Sequence, residues 1–335
     1  MEAQRRKAAV AWLSVISNTS LVAGKLAVGL CIGSVSVISE AIHSGVDLLA
    51  AVIALFAVKT SHKVADDEHP FGHGKVENIS GTIEALLIFL AAGWIVYEAA
   101  HKLLAPQPIH AVGWGVAVML VSSAVNIIVS QMLFKVGRET DSIALQADAW
   151  HLRTDVYTSA GVMVGLGLIL LGERFLPNTN LLWLDPVAAI VVALMIVHAA
   201  WKLTMESGRD LLDASLPAEE TAWIQEYLRG IGSSVRGFHH LRTRKAGSNR
   251  FVEFHLVVDK DLSVEAAHHL SDGLTRTIRE RFPGTTVTIH VEPCDGGCRP
   301  ACVEGCLLAD DERSAIHAQA SLEHYETKRS IATRG

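Results

Sequence analysis

The sequence is poor in charged residues and in cysteine. Charged residues make up 19% of the 335 residues, and most lie outside a series of long apolar runs. No Lys/Arg cluster with interleaved aromatic residues occurs, which argues against a nucleic-acid partner. The His-Glu-x-x-His and Gly-x-Ser-x-Gly motifs, which are common hydrolase signatures, are also missing. No cleavable signal peptide is evident.

Apolar runs dominate what is present. Half of the residues are hydrophobic and the mean hydropathy is +0.31. Six runs of about twenty residues predict six transmembrane helices; they fall near residues 8–30, 36–58, 79–104, 111–134, 143–171 and 184–205. Lys and Arg flank alternate loops, at Arg5, Lys63 and Lys135 among others, which predicts cytoplasmic N- and C-termini. With no targeting signal evident, we expect an integral protein of a bacterial inner membrane.

After the sixth run the pattern becomes that of a soluble domain. Helix and strand signals between residues 208 and 293 follow the order α-β-β-α-β, which predicts a small α+β domain, ferredoxin-like or metallochaperone-like. The predicted domains are therefore 1–207 in the membrane, 208–293 in the cytoplasm, and a flexible cysteine-containing tail at 294–335. From about residue 308 the tail is polar and is predicted to be disordered.

Two His-x-x-x-Asp pairs lie inside apolar runs. His43 and Asp47 fall in the second run, and His151 and Asp155 fall in the fifth. Residues four apart share a helix face, and antiparallel contact would bring His43 level with Asp155 and Asp47 level with His151. Two nitrogens and two carboxylate oxygens suit a tetrahedral zinc-like cation, while a purely structural His/Asp network is the alternative.

Two further acids extend the same helix faces. Glu40 lies three residues before His43, and Asp148 lies three residues before His151. They are candidates for an ion path. The alternative is that both carboxylates simply meet water where the helices widen.

These motifs together resemble the cation diffusion facilitator family over residues 8–293. The loop after the second run adds a specific signature, Asp-Asp-Glu-His-Pro-Phe-Gly-His-Gly-Lys at 66–75 followed by Glu77. The resemblance implies a homodimer that exports divalent metals, mainly zinc, by proton antiport. It also implies a cytoplasmic metal-binding domain with the α-β-β-α-β order.

The resemblance carries three ligand sets onto this sequence. The transport site is His43, Asp47, His151 and Asp155, and histidine at its first position favours zinc. The loop site is Asp66, His69 and His73, for which a solvated charged loop is the alternative. The cytoplasmic site is His239, His255, His268, His290 and Glu292, with His240 and His269 as neighbours one position away. Lys75 and Asp213 match an ion pair that ties the family dimer together.

The remaining cysteines depart from the family pattern. Cys294, Cys298, Cys302 and Cys306 are spaced evenly by four, which resembles neither a zinc ribbon nor an iron–sulfur motif. A continuous helix would spread the sulfurs over about 18 Å, but the intervening glycines and proline favour a bent path. Metal buffering or sensing and a flexible reduced tail both remain open.

The sequence therefore predicts a membrane transporter that is not an enzyme. Zn²⁺ is the expected cargo and the expected ion of the cytoplasmic sites, with other divalent metals as alternatives. The expected partners are a second copy of the chain, metal ions, protons and the lipid bilayer. A membrane-anchored metal sensor and a membrane metalloenzyme are the rival functions.

Overall fold

A computed structural model describes residues 2–32, 35–104, 114–175, 183–231 and 235–332. The chain divides into two compact units, one formed by Met1–Leu212 with Ala246–Ser248 and the other by Asp213–Lys245 with Asn249–Gly335. Each unit has its own hydrophobic core.

The first unit contains six long helices. They are α1 Glu2–Ile32, α2 Val35–Ser61, α3 Lys75–Leu104, α4 Trp114–Glu139, α5 Ile143–Phe175 and α6 Leu184–Leu211. Among the described residues, α1, α2, α3, α4 and α6 contain segments long and apolar enough to cross a membrane. The remaining helix, α5, carries Asp148, Arg153 and Asp155 in its first half. The helices confirm an integral membrane protein with a helical membrane domain.

The helices of this unit associate mainly as pairs. The most extensive packing joins α3 to α6, α1 to α2 and α4 to α5. Small residues permit close approach, as is usual between membrane helices. A methyl group at Gly81 on α3 would come within 2.6 Å of the Ser207 Oγ atom on α6, so that contact requires glycine.

A buried ion pair joins the ends of four helices. Lys7 on α1 lies 2.7 Å from the Glu77 Oε1 atom on α3, and both side chains are almost fully buried. Ser61 on α2 and Ser142, next to the start of α5, donate hydrogen bonds to the same carboxylate. With three donors around it, the buried carboxylate is well satisfied.

The second unit has the predicted α-β-β-α-β order. It contains α7 Ala218–Arg229, β1 Val235–Ala246, β2 Asn249–Val258, α8 Val264–Arg281 and β3 Thr285–Pro293. The strands form one sheet in the order β1-β2-β3, in which β2 and β3 run parallel with His255 opposite His290. Ser263 caps α8 by accepting a hydrogen bond from the Ala266 main-chain N–H. The α+β fold class is confirmed.

The two faces of this sheet differ in chemistry. Phe254 and Leu256 on β2 point into the apolar core that also contains Ile224 of α7 and Ile278 of α8. Because side chains alternate along a strand, His255 lies on the opposite face. This second face carries histidines of the three strands and Glu292.

The tail contains two helices where the sequence predicts a flexible and disordered segment. They are α9 Pro300–Glu304 and α10 Asp310–Ala332. Asp310, Asp311 and Glu312 lie in the first turn of α10, where negative charge is favourable. The polar composition that suggested disorder therefore also suits an exposed helix.

Candidate metal centres

The membrane cluster comprises His43 and Asp47 of α2 together with His151 and Asp155 of α5. The Nε2 atom of His151 lies 3.1 Å from the Oδ1 atom of Asp47. The Nε2 atom of His43 lies 3.7 Å from the Oδ1 atom of Asp155. One ligand atom each from His43, Asp47 and Asp155 lies within 4.8 Å of the other two. The two expected cross-helix pairs are thus both in contact.

His43, Asp47 and Asp155 of the membrane cluster line a cavity of about 300 Å³, together with Ser44, Ser122 and Asn126. Asp47 and His151 are almost fully buried, whereas 53% of the His43 side chain is exposed. The Asn126 Nδ2 atom lies 3.5 Å from the Oδ2 atom of Asp155. Polar oxygens and imidazoles around such a cavity suit a divalent cation.

Two buried charged residues near this cluster were missed by sequence reasoning. Lys25 of α1 lines the same cavity, and its ammonium group donates a 2.8 Å hydrogen bond to Ser44. Glu84 of α3 is fully buried and accepts a hydrogen bond from Ser80. Both interrupt apolar runs, and an isolated ionisable residue in such a run is the signal that would have found them.

The two candidate ion-path residues have different outcomes. Asp148 of α5 is fully buried, and within the described residues neither carboxylate oxygen meets the geometry of a hydrogen bond. It therefore does not meet bulk water in this conformation. The side chain of Glu40 lies outside the described residues.

The loop cluster comprises Asp66, His69 and His73, in the connection between α2 and α3. Ligand atoms of the three side chains lie within 4.8 Å of one another. The Asp66 carboxylate contacts the His69 Nδ1 atom at 3.3 Å and the His73 Nε2 atom at 3.4 Å. Gly72 adopts a φ of +80°, which turns the chain back between the two histidines. Hydrogen bonding from the His69 main-chain N–H, together with both imidazoles, holds the pKa of Asp66 below its ordinary value.

The sheet-face cluster comprises His239, His240, His255, His290 and Glu292 on the polar face of the sheet. The Glu292 carboxylate oxygens lie 2.7 Å from the His255 Nδ1 atom and 3.1 Å from the His239 Nε2 atom. His290 lies 3.4 Å from the same carboxylate. Burial opposes ionisation of Glu292, but the hydrogen bonds from His255 and His239 outweigh it and lower its pKa. Ligand atoms of His239, His255 and Glu292 lie within 4.8 Å of one another.

His240 joins this cluster because of an irregularity in β1. Its φ of +54° is left-handed, and Phe238 and Leu241 on either side of the histidine pair both pack toward the apolar core. The extra residue lets His239 and His240 lie on the same face, as in a β-bulge. Their rings are each 5.1 Å from the His255 ring. His240 is therefore an additional candidate ligand rather than a replacement for His239.

His268 does not join the sheet-face cluster within this chain. It lies on α8, which packs on the other face of the sheet, and 71% of its side chain is exposed. Its imidazole contacts Asp272 one helical turn away at 3.4 Å. The neighbouring His269 lies beside it.

The predicted ion pair of Lys75 and Asp213 involves residues of different units. The Lys75 Nζ atom lies 3.3 Å from the main-chain carbonyl oxygen of Leu211, and the Asp213 Oδ1 atom lies 3.4 Å from the Arg244 Nη1 atom. The pairing of Lys75 with Asp213 stays a prediction.

Two family models match this chain. A model described as the cation efflux transmembrane domain matches residues 11–212. A second model, described as the cytoplasmic domain of a cation efflux protein, matches residues 216–294. Together they match most of the first unit and the part of the second unit from α7 to β3.

Individual relatives agree with the family models. An uncharacterized transporter, sll1263, of Synechocystis sp. is 37% identical over 284 residues, which cover 84% of this chain and 89% of the relative. The cation-efflux pump FieF of Citrobacter koseri is 33% identical over 264 residues, which cover 78% of this chain and 84% of the relative. A solved metal-bound C-terminal domain of the CzcD transporter from Thermotoga maritima is 28% identical, with a TM-score of 0.22, over 23% of this chain and 94% of that chain.

These matches exceed what a shared fold alone would give, because they extend over most of the chain at more than 30% identity. They make the protein a membrane transporter for divalent metal cations, with a C-terminal domain of the dimerising type. The chain belongs to the cation diffusion facilitator family.

Proposed function

We propose that this protein exports Zn²⁺ from the cytosol in exchange for protons, and that the metal passes through the membrane cluster. The proposal includes alternating access, in which α2 and α5 hold the ion while the helices around them open to one side and then the other. Both termini would lie in the cytoplasm of a bacterial cell, and the active form would be a homodimer. Other divalent metals are secondary candidates.

One observation carries the proposal. Two helices from distant parts of the sequence each contribute a histidine and an aspartate, and each histidine contacts the aspartate of the other helix. Burying ionisable groups among apolar helices costs several kcal/mol unless they have partners or a function. A cavity of about 300 Å³ beside them leaves room for an ion.

The ligand types favour zinc among divalent cations. Imidazole nitrogen and carboxylate oxygen are common zinc ligands, and four of them satisfy its tetrahedral preference. Calcium and magnesium prefer oxygen ligands and higher coordination numbers. Two histidines in a set of four therefore point away from those ions.

Proton exchange follows from electrostatic work and from the ligands themselves. Moving a divalent cation out against an inside-negative potential costs about 4.6 kcal/mol per 100 mV, and each entering proton returns about 2.3 kcal/mol. An imidazole must lose its proton before it can bind a metal. The same four side chains can therefore bind either the cation or protons.

The two other clusters fit supporting roles. We propose that the sheet-face cluster binds cytoplasmic zinc as a regulatory or structural ion. The loop cluster offers one carboxylate and two imidazoles for a further ion.

Two rival functions fit the clusters less well. A metal sensor would need these outer clusters but not buried ligands between membrane helices. A metalloenzyme would need a substrate position that no motif supports.

Zinc flux into dye-loaded proteoliposomes under an opposing proton gradient tests the proposal. We expect flux with the native chain and none with Asp155→Ala at equal protein, while circular dichroism shows both folded. A second comparison, with and without the pH gradient at clamped voltage, tests coupling. Equal flux with and without the pH gradient would rule out antiport. No flux with either the native chain or Asp155→Ala, while zinc still binds, would favour a sensor.

A further inference from the structure

The four cysteines that the transport function leaves unexplained line one cavity. This cavity has a volume of about 320 Å³ and lies in the second unit, against the sheet-face cluster. His239, His240, His255 and Glu292 form one side of it. The thiol segment, defined as residues 294–306, contributes Cys294, Cys298, Cys302 and Cys306 to its wall. All four are free thiols.

The backbone fixes both ends of the thiol segment to the sheet. The Cys294 main-chain N–H donates a 2.8 Å hydrogen bond to the carbonyl oxygen of Val258, at the end of β2. Cys306 pairs with Gly237 of β1 in an antiparallel bridge. The N–H of Leu307 then donates to the carbonyl oxygen of Arg236 at 2.9 Å. The segment therefore crosses the sheet end from β3 to β1.

Between these ends the chain is bent rather than helical throughout. Gly296 and Cys298 have φ values of +67° and +44°, so the backbone reverses before the short helix α9, which carries Cys302. The carbonyl oxygen of Gly296 is 2.7 Å from the His317 Nδ1 atom of α10. Because the path is bent, the four cysteines are not spread over the roughly 18 Å that a continuous helix would impose.

Close backbone contacts hold this arrangement in place. The Phe238 N–H donates a 3.0 Å hydrogen bond to the carbonyl oxygen of Gly305. A methyl group at Gly305 would overlap the Phe238 carbonyl oxygen, and one at Gly237 would lie 2.7 Å from the Gly305 oxygen. Only glycine fits at both positions. The thiol segment is thus a built wall of the cavity and not a loose tail.

The electrostatics of the wall suit a cation. The Asp295 carboxylate lies in the same wall as the four thiols. Thiolate and carboxylate groups both bind divalent cations, and a bound cation favours the thiolate form of cysteine.

We propose that Cys294, Cys298, Cys302 and Cys306 form a thiolate site for a soft divalent cation of the zinc or cadmium type, beside the sheet-face cluster. This site is separate from the transport path and does not depend on it. Within the described residues no three of these sulfurs lie within 4.8 Å of one another. A tetrahedral zinc–thiolate centre has sulfurs about 3.8 Å apart, so metal binding must draw the side chains together by changing their rotamers.

Cobalt binding to the full-length protein in detergent tests the proposal, because Co²⁺ bound to thiolates gives a sulfur-to-metal charge-transfer absorption that nitrogen and oxygen ligands do not give. We expect this absorption in the reduced native protein and in Cys31→Ser, which removes the lone cysteine of α1. It should disappear in the double variant Cys298→Ser/Cys302→Ser. Cobalt binding to the native protein without a sulfur band would overturn the proposal.

Thiol protection gives an independent readout that needs no change in the thiol segment. In the Cys31→Ser protein we expect excess Cd²⁺ to block the reaction of all four remaining cysteines with a thiol reagent, and a chelator to restore it. Unchanged reactivity with Cd²⁺ present would contradict the site.

Discussion

The membrane cluster and the sheet-face cluster combine histidine with carboxylate on different backbones. In the membrane, α2 and α5 each carry a histidine and an aspartate one turn apart. The contacts join the two helices, as between His151 and Asp47 at 3.1 Å. On the sheet, Glu292 lies among histidines from three strands, with His255 at 2.7 Å. The first is enclosed by apolar helices and the second borders a cavity lined by thiols. We propose that similar ligands serve transport in one setting and regulation in the other.

The largest expected difference between the two units concerns buried charge. Glu77→Ala would leave the Lys7 ammonium buried without its partner, which should lower the free energy of unfolding by about 3–5 kcal/mol. Glu220→Ala is the matched control, because Glu220 pairs with Arg250 at 2.8 Å in the second unit but is less buried. There we expect a smaller loss, of about 1.5–3 kcal/mol, because two charge-assisted hydrogen bonds are lost while both side chains keep some contact with water. Denaturation in detergent measures both, and equal losses would contradict the comparison.

Removing the central histidine of the sheet-face cluster should have the next largest effect. His255 contacts Glu292 directly, and its ring lies about 5 Å from three other imidazoles. We expect His255→Ala to weaken zinc binding roughly 10- to 100-fold. Calorimetry measures this in a background of Asp155→Asn, Asp66→Asn and Cys298→Ser/Cys302→Ser, which impairs the other proposed zinc sites.

His268→Ala is the control for that experiment, since its imidazole is exposed and pairs with Asp272. We expect zinc affinity to stay near that of the parent protein. An equal loss in both variants would instead identify the α8 histidine as a ligand.

Lys25 offers a smaller test that applies to the membrane cluster alone. Its ammonium group lines the cavity beside the membrane cluster and donates a hydrogen bond to Ser44. Because like charges repel, Lys25→Gln should raise zinc affinity about threefold to tenfold, equivalent to about 0.7–1.4 kcal/mol. Binding to a protein carrying Glu292→Gln measures the effect with the sheet-face cluster weakened. A lower affinity would show that the ammonium group positions the ligands instead.

The smallest expected effect is a pH effect in the loop cluster. The pKa of Asp66 is lowered in the folded protein, so its stabilisation of the loop is complete above the ordinary aspartate range and is lost as the pH falls through the folded pKa. The His69 amide N–H donates to this carboxylate at 2.7 Å. Its resonance should titrate below the ordinary aspartate range, fail to titrate in Asp66→Asn, and titrate as before in Asp67→Asn. A midpoint at the ordinary value would contradict the lowered pKa.

Sequence periodicity predicted the fold well because both kinds of element carry their own signal. Long apolar runs predicted the membrane helices, and the α-β-β-α-β order of the second unit is confirmed. The four-residue spacing of His43 with Asp47 also predicted which cross-helix pairs would touch. Helical spacing translates directly into a shared face, so no knowledge of the backbone was needed.

Features that depend on an irregular backbone could not be predicted in the same way. The left-handed residue His240 places two consecutive histidines on one face, where strand alternation predicts opposite faces. The bends at Gly296 and Cys298 bring the thiol segment back to β1. Lys25 stands outside the predicted ligand sets for another reason, since a protonated ammonium group is not a metal ligand.

Zinc flux is compared between the Asp47→Asn and Glu292→Gln proteins, reconstituted in equal amounts. This comparison tests most directly whether the metal passes through the membrane cluster. Both changes remove one carboxylate charge and preserve side-chain shape. We predict that Asp47→Asn lowers flux at least about tenfold, because it removes a ligand, whereas Glu292→Gln leaves measurable flux with an altered dependence on cytoplasmic-side zinc. Full flux through Asp47→Asn, or complete loss in Glu292→Gln alone, would contradict transport through the membrane cluster.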